Sequence, residues 1–319
     1  MDDNPKCPVC GARDWERVHN YHYRRPGNAV VTSPFGEYVR LRHRVLFEIW
    51  FPEEEEVFLT SVLCRRCGFM GYTPRPTAAD IDAKYRFLQT TEMDIGGQKG
   101  DRRSADIDRK RAERVYRTVA GHVKADRMRI LDVGGGNGKL LRPFIERGHS
   151  CVLVDYNVRP LDGVEKIADR LEDVETGLRF DVIISSHVLE HLAHPGEALR
   201  RMSSLLSERG IVYGEVPRGV WGGIGIDEDP VTHINFFTWR SFELLFIDQG
   251  MEVLESKEFV GAYNRRMDVV VVVARQASGE VTISFDGAVA ETRRLLSPSM
   301  AAKALRLWRL RKFREFIKR

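Results

Sequence analysis

Two cysteine pairs share one internal spacing, Cys7/Cys10 in CPVCG and Cys64/Cys67 in CRRCG. Each CxxCG is a tight turn whose glycine frees backbone N–H groups to face thiolate sulfur. Two such turns supply four thiolates, enough for a closed tetrahedral zinc site. Four protein ligands leave no open position, so the expected Zn2+ is structural and not catalytic. Between Cys10 and Cys64 lie 53 residues, more than a simple zinc ribbon needs, so the intervening chain must fold back as a compact module. Disulfides are not expected in a chain read as cytoplasmic. Cys151 stands alone in an apolar stretch and reads as a small core residue.

The second chemical signal is ILDVGGGNGKLL, residues 130–141. Glycines behind an apolar run let the chain turn tightly and let a ligand approach the backbone, with the next helix N-terminus offering free N–H groups. A P-loop would need Ser or Thr after Gly138-Lys139 and a glycine at Val133, so that reading fails. A dinucleotide GxGxxG started at Gly134 would need glycine where Lys139 stands. The pattern that fits is an acid, one residue, then GxGxG: Asp132, Gly134, Gly136 and Gly138. Asp155, with Tyr156 beside it, ends the next apolar run.

The third signal is the long loop EVPRGVWGGIGIDEDPVTHINFFTWRS, which carries Trp221, His233, Asn235 and several acids. Loops of this length inside compact domains are usually functional. His233 is the candidate general base, because a neutral imidazole can take a proton near pH 7. Its alternative role is to cap the next helix or pack in the core. Asp227, Glu228 or Asp229 are candidates to orient it, and Tyr85 and Tyr263 are candidate pocket walls.

These residues need a scaffold. From residue 129 onward RILDVG, CVLVD, FDVIIS, GIVYGEV, MEVLESKEFV and DVVVVVA read as strands. They alternate with helical GKLLRPFIERG, PGEALRRMSSLLSERG and WRSFELLFIDQG, each closed by a glycine suited to a C-terminal cap. That alternation predicts an α/β fold with a doubly wound, Rossmann-like sheet, its final strand pair an antiparallel hairpin. The expected organisation is a small zinc-binding module over 1–75 and a helical linker or cap over 76–125. A catalytic domain over 126–278 and a helical basic tail over 279–319 would follow. Within the first module RVLFEIWF and EVFLTSVLC look like strands. A helix is expected from about Thr77, a flexible connection over 91–104, and a further helix in DIDRKRAERVYRTVAGHV.

The N-terminus has no basic stretch followed by an apolar core, and no apolar run approaches the roughly 20 residues of a membrane span, which predicts a cytoplasmic protein. The net charge of +4 is unevenly spread. KALRLWRLRKFREFIKR at the end holds eight Lys or Arg against one Glu, about +7, which leaves the remainder near −3. An amphipathic basic helix there is expected to make a peripheral membrane contact or a protein contact.

ILDVGGGNGKLL followed by CVLVD resembles the nucleotide-binding half of class I S-adenosylmethionine (SAM)-dependent methyltransferases, and FDVIISSHVLEHLAHPGEALRRMSSLLSERGIVYGEVP is similar to their next stretch. The resemblance covers about residues 129–275 and implies SAM as cofactor. Gly134, Gly136 and Gly138 would let the methionine portion lie on the backbone, and Asp132 would orient the loop or meet the ammonium. Asp155 would hold the ribose, and Asp169, with Asp173 near it, would meet the adenine amino group. Ser185, Ser186 and His187 would face the cofactor, whereas Glu190 and His191 would fix the fourth strand to its helix. The cysteine module ahead of this domain resembles that of sugar C-methyltransferases, which act on sugars and natural products, and it implies a module folded over the substrate pocket. Those relatives place a Glu-His pair before an aromatic pair where this chain has Thr232-His233 ahead of Phe236-Phe237. The missing acid tilts the expectation from carbon to a hydroxyl acceptor on a sugar, glycan or related metabolite. The alternatives are sugar C-methylation, an RNA methyltransferase whose zinc module grips nucleic acid, and a non-catalytic binder. Nucleic acid is the less expected partner, since Glu53–Glu56 in the module is a poor surface for phosphate.

Overall fold

The computed structural model describes residues 1–25, 41–90, 102–156, 159–220, 230–263 and 267–297. The basic tail, the acids at 227–229 and Trp221 lie outside the described residues, as does most of the connection expected over 91–104.

The N-terminal module is a three-stranded antiparallel sheet, β1 (Trp15–Arg24), β2 (Glu56–Cys64) and β3 (Met70–Thr73), in the order β1-β2-β3. RVLFEIWF does not extend it. Residues 41–50 are helical, with a wide π turn over Val45–Trp50 in which Phe51 N donates to Leu46 O. The reason is visible in the spacing: Leu41, Val45 and Ile49, with Leu46 and Trp50, recur every fourth residue and share one face. Two helices follow, α1 (Ala78–Thr90) and α2 (Arg102–His122). Thr77 caps α1 as expected, its Oγ1 accepting from Asp80 N and its own N donating to Asp80 Oδ2. Residues 102–104 already belong to α2 instead of the connection.

The main sheet contains β4 (Arg129–Val133), β5 (Ser150–Val154), β6 (Val164–Ala168), β7 (Phe180–Ser186), β8 (Leu206–Pro217), β9 (Met251–Tyr263) and β10 (Met267–Gln276). Its order is β6-β5-β4-β7-β8-β10-β9. The first five strands run parallel, and the β9–β10 hairpin adds antiparallel to β8. The order reverses at β4, the switch point beside which such sheets bind ligands.

Helices cover both faces, which is why β7 and β10 are almost wholly apolar. Val182, Ile184, Val269, Val271 and Val273 pack with Ala112, Val115 and Val119 of α2 and with Phe144 of the short α3 (Arg142–Ile145). Their alternates Ile183, Val270 and Val272 pack with α4 (Pro195–Ser204) and α5 (Trp239–Asp248). The last described helix, α6 (Ala288–Leu296), closes the same side.

Two local expectations change. SSLLSERG is not helical to Gly210; α4 ends at Ser204, and β8 starts at Leu206, which pairs with Phe180. VEKIA, absent from the strand candidates, forms the edge strand β6. Among the described residues the β5–β6 connection has no helix, and β6–β7 has only one turn at Leu171–Asp173.

Candidate active site and cysteine cluster

At the carboxyl edge of β4 and β5 lies a cavity of about 530 Å³, the size of a small-molecule site. Gly134, Asp155 and Tyr156 line one side, His187, Val188 and His191 another, and Ile81, Asp82 and Tyr85 of α1 form a wall. The N-terminal part of the chain therefore contributes to the pocket.

The glycine turn is built for close approach. Gly134 sits at φ +66°, and a Cβ there would lie 2.5 Å from Val188 Cγ2. Gly136 N donates to Asp155 Oδ2 at 2.7 Å, tying the turn to the neighbouring strand end. Under the turn Asp132 is 1% exposed, and neither carboxylate oxygen has a hydrogen-bond partner. Burial, with Asp155 adding to it, pushes this carboxyl up to about 7. Asp155 is also raised, chiefly by burial, against the backbone N–H groups of Gly136 and Tyr156.

Asp169 stands at the rim, 59% exposed and paired with Lys166, while Asp173 is exposed and is not part of the lining. Ser185 and Ser186 do not line the cavity, because both are buried within the end of β7. Ser186 Oγ donates to Glu215 Oε1 at 2.8 Å. Glu215, fully buried in β8, also accepts from Tyr213 OH, Arg111 Nε and Arg114 Nη2. Burial opposes its charge, but His187 and the two guanidiniums hold Glu215 well below the usual carboxylate range.

His187 carries an unusual backbone, φ +59° without being glycine. Its ring stands between two acids, Nδ1 3.3 Å from Glu190 Oε1 and Nε2 3.5 Å from Glu215 Oε1. Burial works against its charge, yet the two carboxylates raise it above the ordinary histidine value.

Glu190 and His191, expected to fix the fourth strand to its helix, are tied instead to the loop that carries His233, Ile234 N and Asn235 N both donating to Glu190 O. Their side chains do more. Glu190, His191 and His233 bring one ligand atom each within 4.8 Å of one another. Glu190 is 1% exposed, with no hydrogen bond to either carboxylate oxygen. Burial would raise it, but the surrounding imidazoles hold it at about 2. His191 Nδ1 lies 2.7 Å from Thr232 O, and its ring centroid is 4.9 Å from that of His233. Burial, with His233 and Lys84 nearby, pushes His191 down to about 4, whereas His187, between Glu190 and Glu215, is raised. His233 thus has an acid beside it from another segment, Glu190. The HxxEH spacing of SSHVLEHL, with His233 beyond, was the sequence signal for this group. Tyr263 ends β9 and its side chain is outside the description.

The cluster rests on a brace from the module. Buried Arg75 donates to Ile234 O at 3.0 Å, Ala193 O at 3.2 Å and Asn235 Oδ1 at 2.6 Å. Asn235 Nδ2 donates in turn to Leu189 O and Leu192 O. Met70 and Phe236 exchange backbone bonds, stitching β3 to the loop that carries His233.

The four cysteines meet as the spacing predicts. Cys7 Sγ is 3.5 Å from Cys67 Sγ, and Cys10 Sγ is 3.6 Å from Cys64 Sγ. These separations are far beyond an S–S bond and close to the ~3.8 Å between sulfurs at ~2.3 Å from one tetrahedral zinc. Gly11 and Gly68 follow the turns at φ +70° and +73°, each donating back to the first cysteine's carbonyl. All four are buried, in one core with Phe69, Phe237, Phe242 and Ala288 of α6. Cys151 is buried in β5, where burial lifts its thiol to about 12.

Residues 105–256 match a family described as "Methyltransferase domain". A ubiquinone biosynthesis O-methyltransferase of Rhodopseudomonas palustris (strain TIE-1) is 27% identical over 96 residues, 27% of this chain and 38% of that protein. A tRNA 5-carboxymethoxyuridine methyltransferase of Escherichia coli (strain K12) is 26% identical over 143 residues, 35% of this chain and 55% of that one. The chain therefore spans 38% and 55% of the lengths of these curated relatives. Among solved structures, a Burkholderia thailandensis 1,6-didemethyltoxoflavin-N1-methyltransferase with bound S-adenosylhomocysteine superposes with a TM-score of 0.52 at 18% identity, covering 67% of this chain and 97% of that one. That likeness concerns the fold.

Proposed function

We propose that residues 105–256, a class I SAM-dependent methyltransferase domain, move a methyl group from SAM to a hydroxyl of a sugar, glycan or related small metabolite. One observation carries the reading: a single cavity has the glycine turn and Asp155 on one side and His187 and His191 on the other. Bound there, SAM would supply an electrophilic methyl on a sulfonium that is already a good leaving group. Gly134 leaves room for the cofactor at the turn, Asp155 accepts from the ribose hydroxyls, and Asp132 offers two unbonded oxygens beneath. Tyr85 and Ile81 wall the cavity from solvent. His233, beside Glu190, takes the acceptor proton, a contribution of about 10²–10⁴-fold for a positioned base. Relatives named as O-methyltransferases support oxygen as the acceptor atom.

The reading includes structural Zn2+ on Cys7, Cys10, Cys64 and Cys67, since four buried sulfurs within 4.8 Å of one another suit a closed zinc site. It also includes a cytoplasmic setting; among the described residues no helix is long and apolar enough to cross a membrane. The tail at 303–319 is read as a peripheral membrane or protein contact, and its deletion should weaken liposome or partner binding.

Calorimetry with SAM and S-adenosylhomocysteine tests the cofactor. No heat with either, alongside binding of a nicotinamide dinucleotide, overturns the reading. Label transfer from methyl-labelled SAM to sugar nucleotides, glycans and RNA tests the acceptor. Label on a sugar oxygen is expected; label on sugar carbon or on RNA would favour the alternatives.

A further inference from the structure

The Glu190–His191–His233 group brings three metal-ligating atoms within 4.8 Å of one another. Thr232 O can only accept, so the 2.7 Å contact to His191 Nδ1 places a proton on that nitrogen. In its neutral form, the form that binds metals, a ring with its proton on Nδ1 presents a lone pair at Nε2. That lone pair faces Glu190 Oε1 at 3.7 Å, and the carboxylate also has only lone pairs to offer. In that tautomer two acceptors face each other; neither carboxylate oxygen has a hydrogen bond of normal geometry among the described residues, and His187 Nδ1 stands 3.3 Å from the same Oε1. The ring of His233 stands on the same side, its ligand atom within 4.8 Å of the other two.

We infer that Glu190, His191 and His233 form a site for a divalent transition ion such as Zn2+, Mn2+ or Co2+, open toward the cavity. Two imidazoles and one carboxylate are a three-ligand set that leaves coordination positions for water or an oxygen donor. Ligand atoms around a tetrahedral ion at ~2.1 Å lie about 3.4 Å apart, so Glu190 and His191, 3.7 Å apart, need little movement and His233 closes by at most about 1.4 Å. The surroundings are those of a metal site. The second nitrogen of His191 donates to a backbone carbonyl, which fixes the tautomer as metal-bound histidines require. Ile234 N and Asn235 N bond Glu190 O, and Asn235 Nδ2 bonds Leu189 O and Leu192 O. The two segments that carry the ligands are thereby held at fixed separation before any ion arrives. Of the three ligands His191 lines the cavity, and Glu190 and His233 stand behind it.

This inference rests on the methyltransferase reading only for the role of those open positions. There the ion would make an acceptor hydroxyl more acidic, and with His233 held as its ligand the proton would leave to water; the base role proposed for His233 belongs to the ion-free site. The four-cysteine cluster is a separate site, its soft thiolates a poor match for Mn2+.

The test is Mn2+ binding to the full chain after chelator dialysis, followed by loss of the free-ion paramagnetic resonance signal, with no acceptor and no cofactor present. One Mn2+ per chain is expected. His191→Gln and His233→Gln, each checked for an unchanged melting transition, should each weaken binding about tenfold or more. No uptake of Mn2+ or of Co2+ at millimolar concentration, or equal uptake in both variants, overturns the site. Because the readout needs no turnover, an intact Mn2+ site in a protein that methylates nothing would sustain this inference while removing the proposed activity.

Discussion

Asp132 carries the charge that the fold accommodates least. Burial first, then Asp155, lifts its carboxyl to about 7, whereas in the unfolded chain it titrates near ~3.9. Between those values the native state holds a proton that the unfolded chain has released. Stability from this group is therefore full below about pH 4, falls as pH rises to about 7, and is flat beyond. Asp132→Asn should melt higher than the parent at pH 8 and at nearly the same temperature at pH 4, which thermal scans at the two pH values will check. The same variant should bind SAM more weakly if the unbonded oxygens receive the cofactor ammonium. Asp155→Ala should lower SAM affinity by about tenfold or more in calorimetry, since hydrogen bonds to a charged group contribute roughly 1.5–3 kcal/mol each. At this scale the sequence was legible where spacing is local. Asp132 with its glycines, and each cysteine pair, declare themselves within a few residues, and Asp155 marks the end of the next apolar run. The acid beside His233 did not, because Glu190 comes from a segment 43 residues away that only the fold brings near.

Among the elements, parallel strands could be read because each is a short apolar run between turns. The misreadings have physical causes. RVLFEIWF has strand-like composition, but its buried positions repeat at helical intervals, and packing decided for the helix. VEKIA is an edge strand with one neighbour and half-buried faces, so it lacks the apolar run that marked the others. In SSLLSERG the pairing of Leu206 with Phe180 overrides helix propensity. The brace at Arg75 was hidden for a similar reason, since PRP looks like linker. Three carbonyl oxygens of the loop and its neighbour depend on that guanidinium, which burial pulls down to about 10. Arg75→Met should destabilise the protein by about 2–4 kcal/mol in urea unfolding, as buried acceptors lose their donor. It should also loosen the segment bearing His233, seen as faster amide exchange at Ile234 and Asn235.

For the whole molecule, the cysteine module and the sheet share one core, and the cluster is expected to report on both. Elemental analysis should find about one zinc in the four-cysteine site. Cys64→Ser should release it and shift melting of the entire chain, because Thr292 of α6 bonds Gly68 O directly behind the cluster. A second long-range tie is the pair of arginines on α2. Arg111→Met would leave Glu215 with a weakened countercharge in a fully buried place, and a loss of about 3–5 kcal/mol is expected from denaturant midpoints. None of this was legible in advance: a helix rich in Arg and Asp reads as a solvated face until its register against β8 is known.

That anchorage bears on where the protein can be cut. A fragment starting at residue 126 would keep every nucleotide-binding motif yet discard Arg111 and Arg114, stranding an ionised carboxylate inside β8. Such a fragment should aggregate or bind a proton at Glu215, however complete its motifs look on paper. Any start must lie ahead of Arg102, where the helix that supplies both guanidiniums begins, and must keep the module whose cysteines and Arg75 the sheet shares.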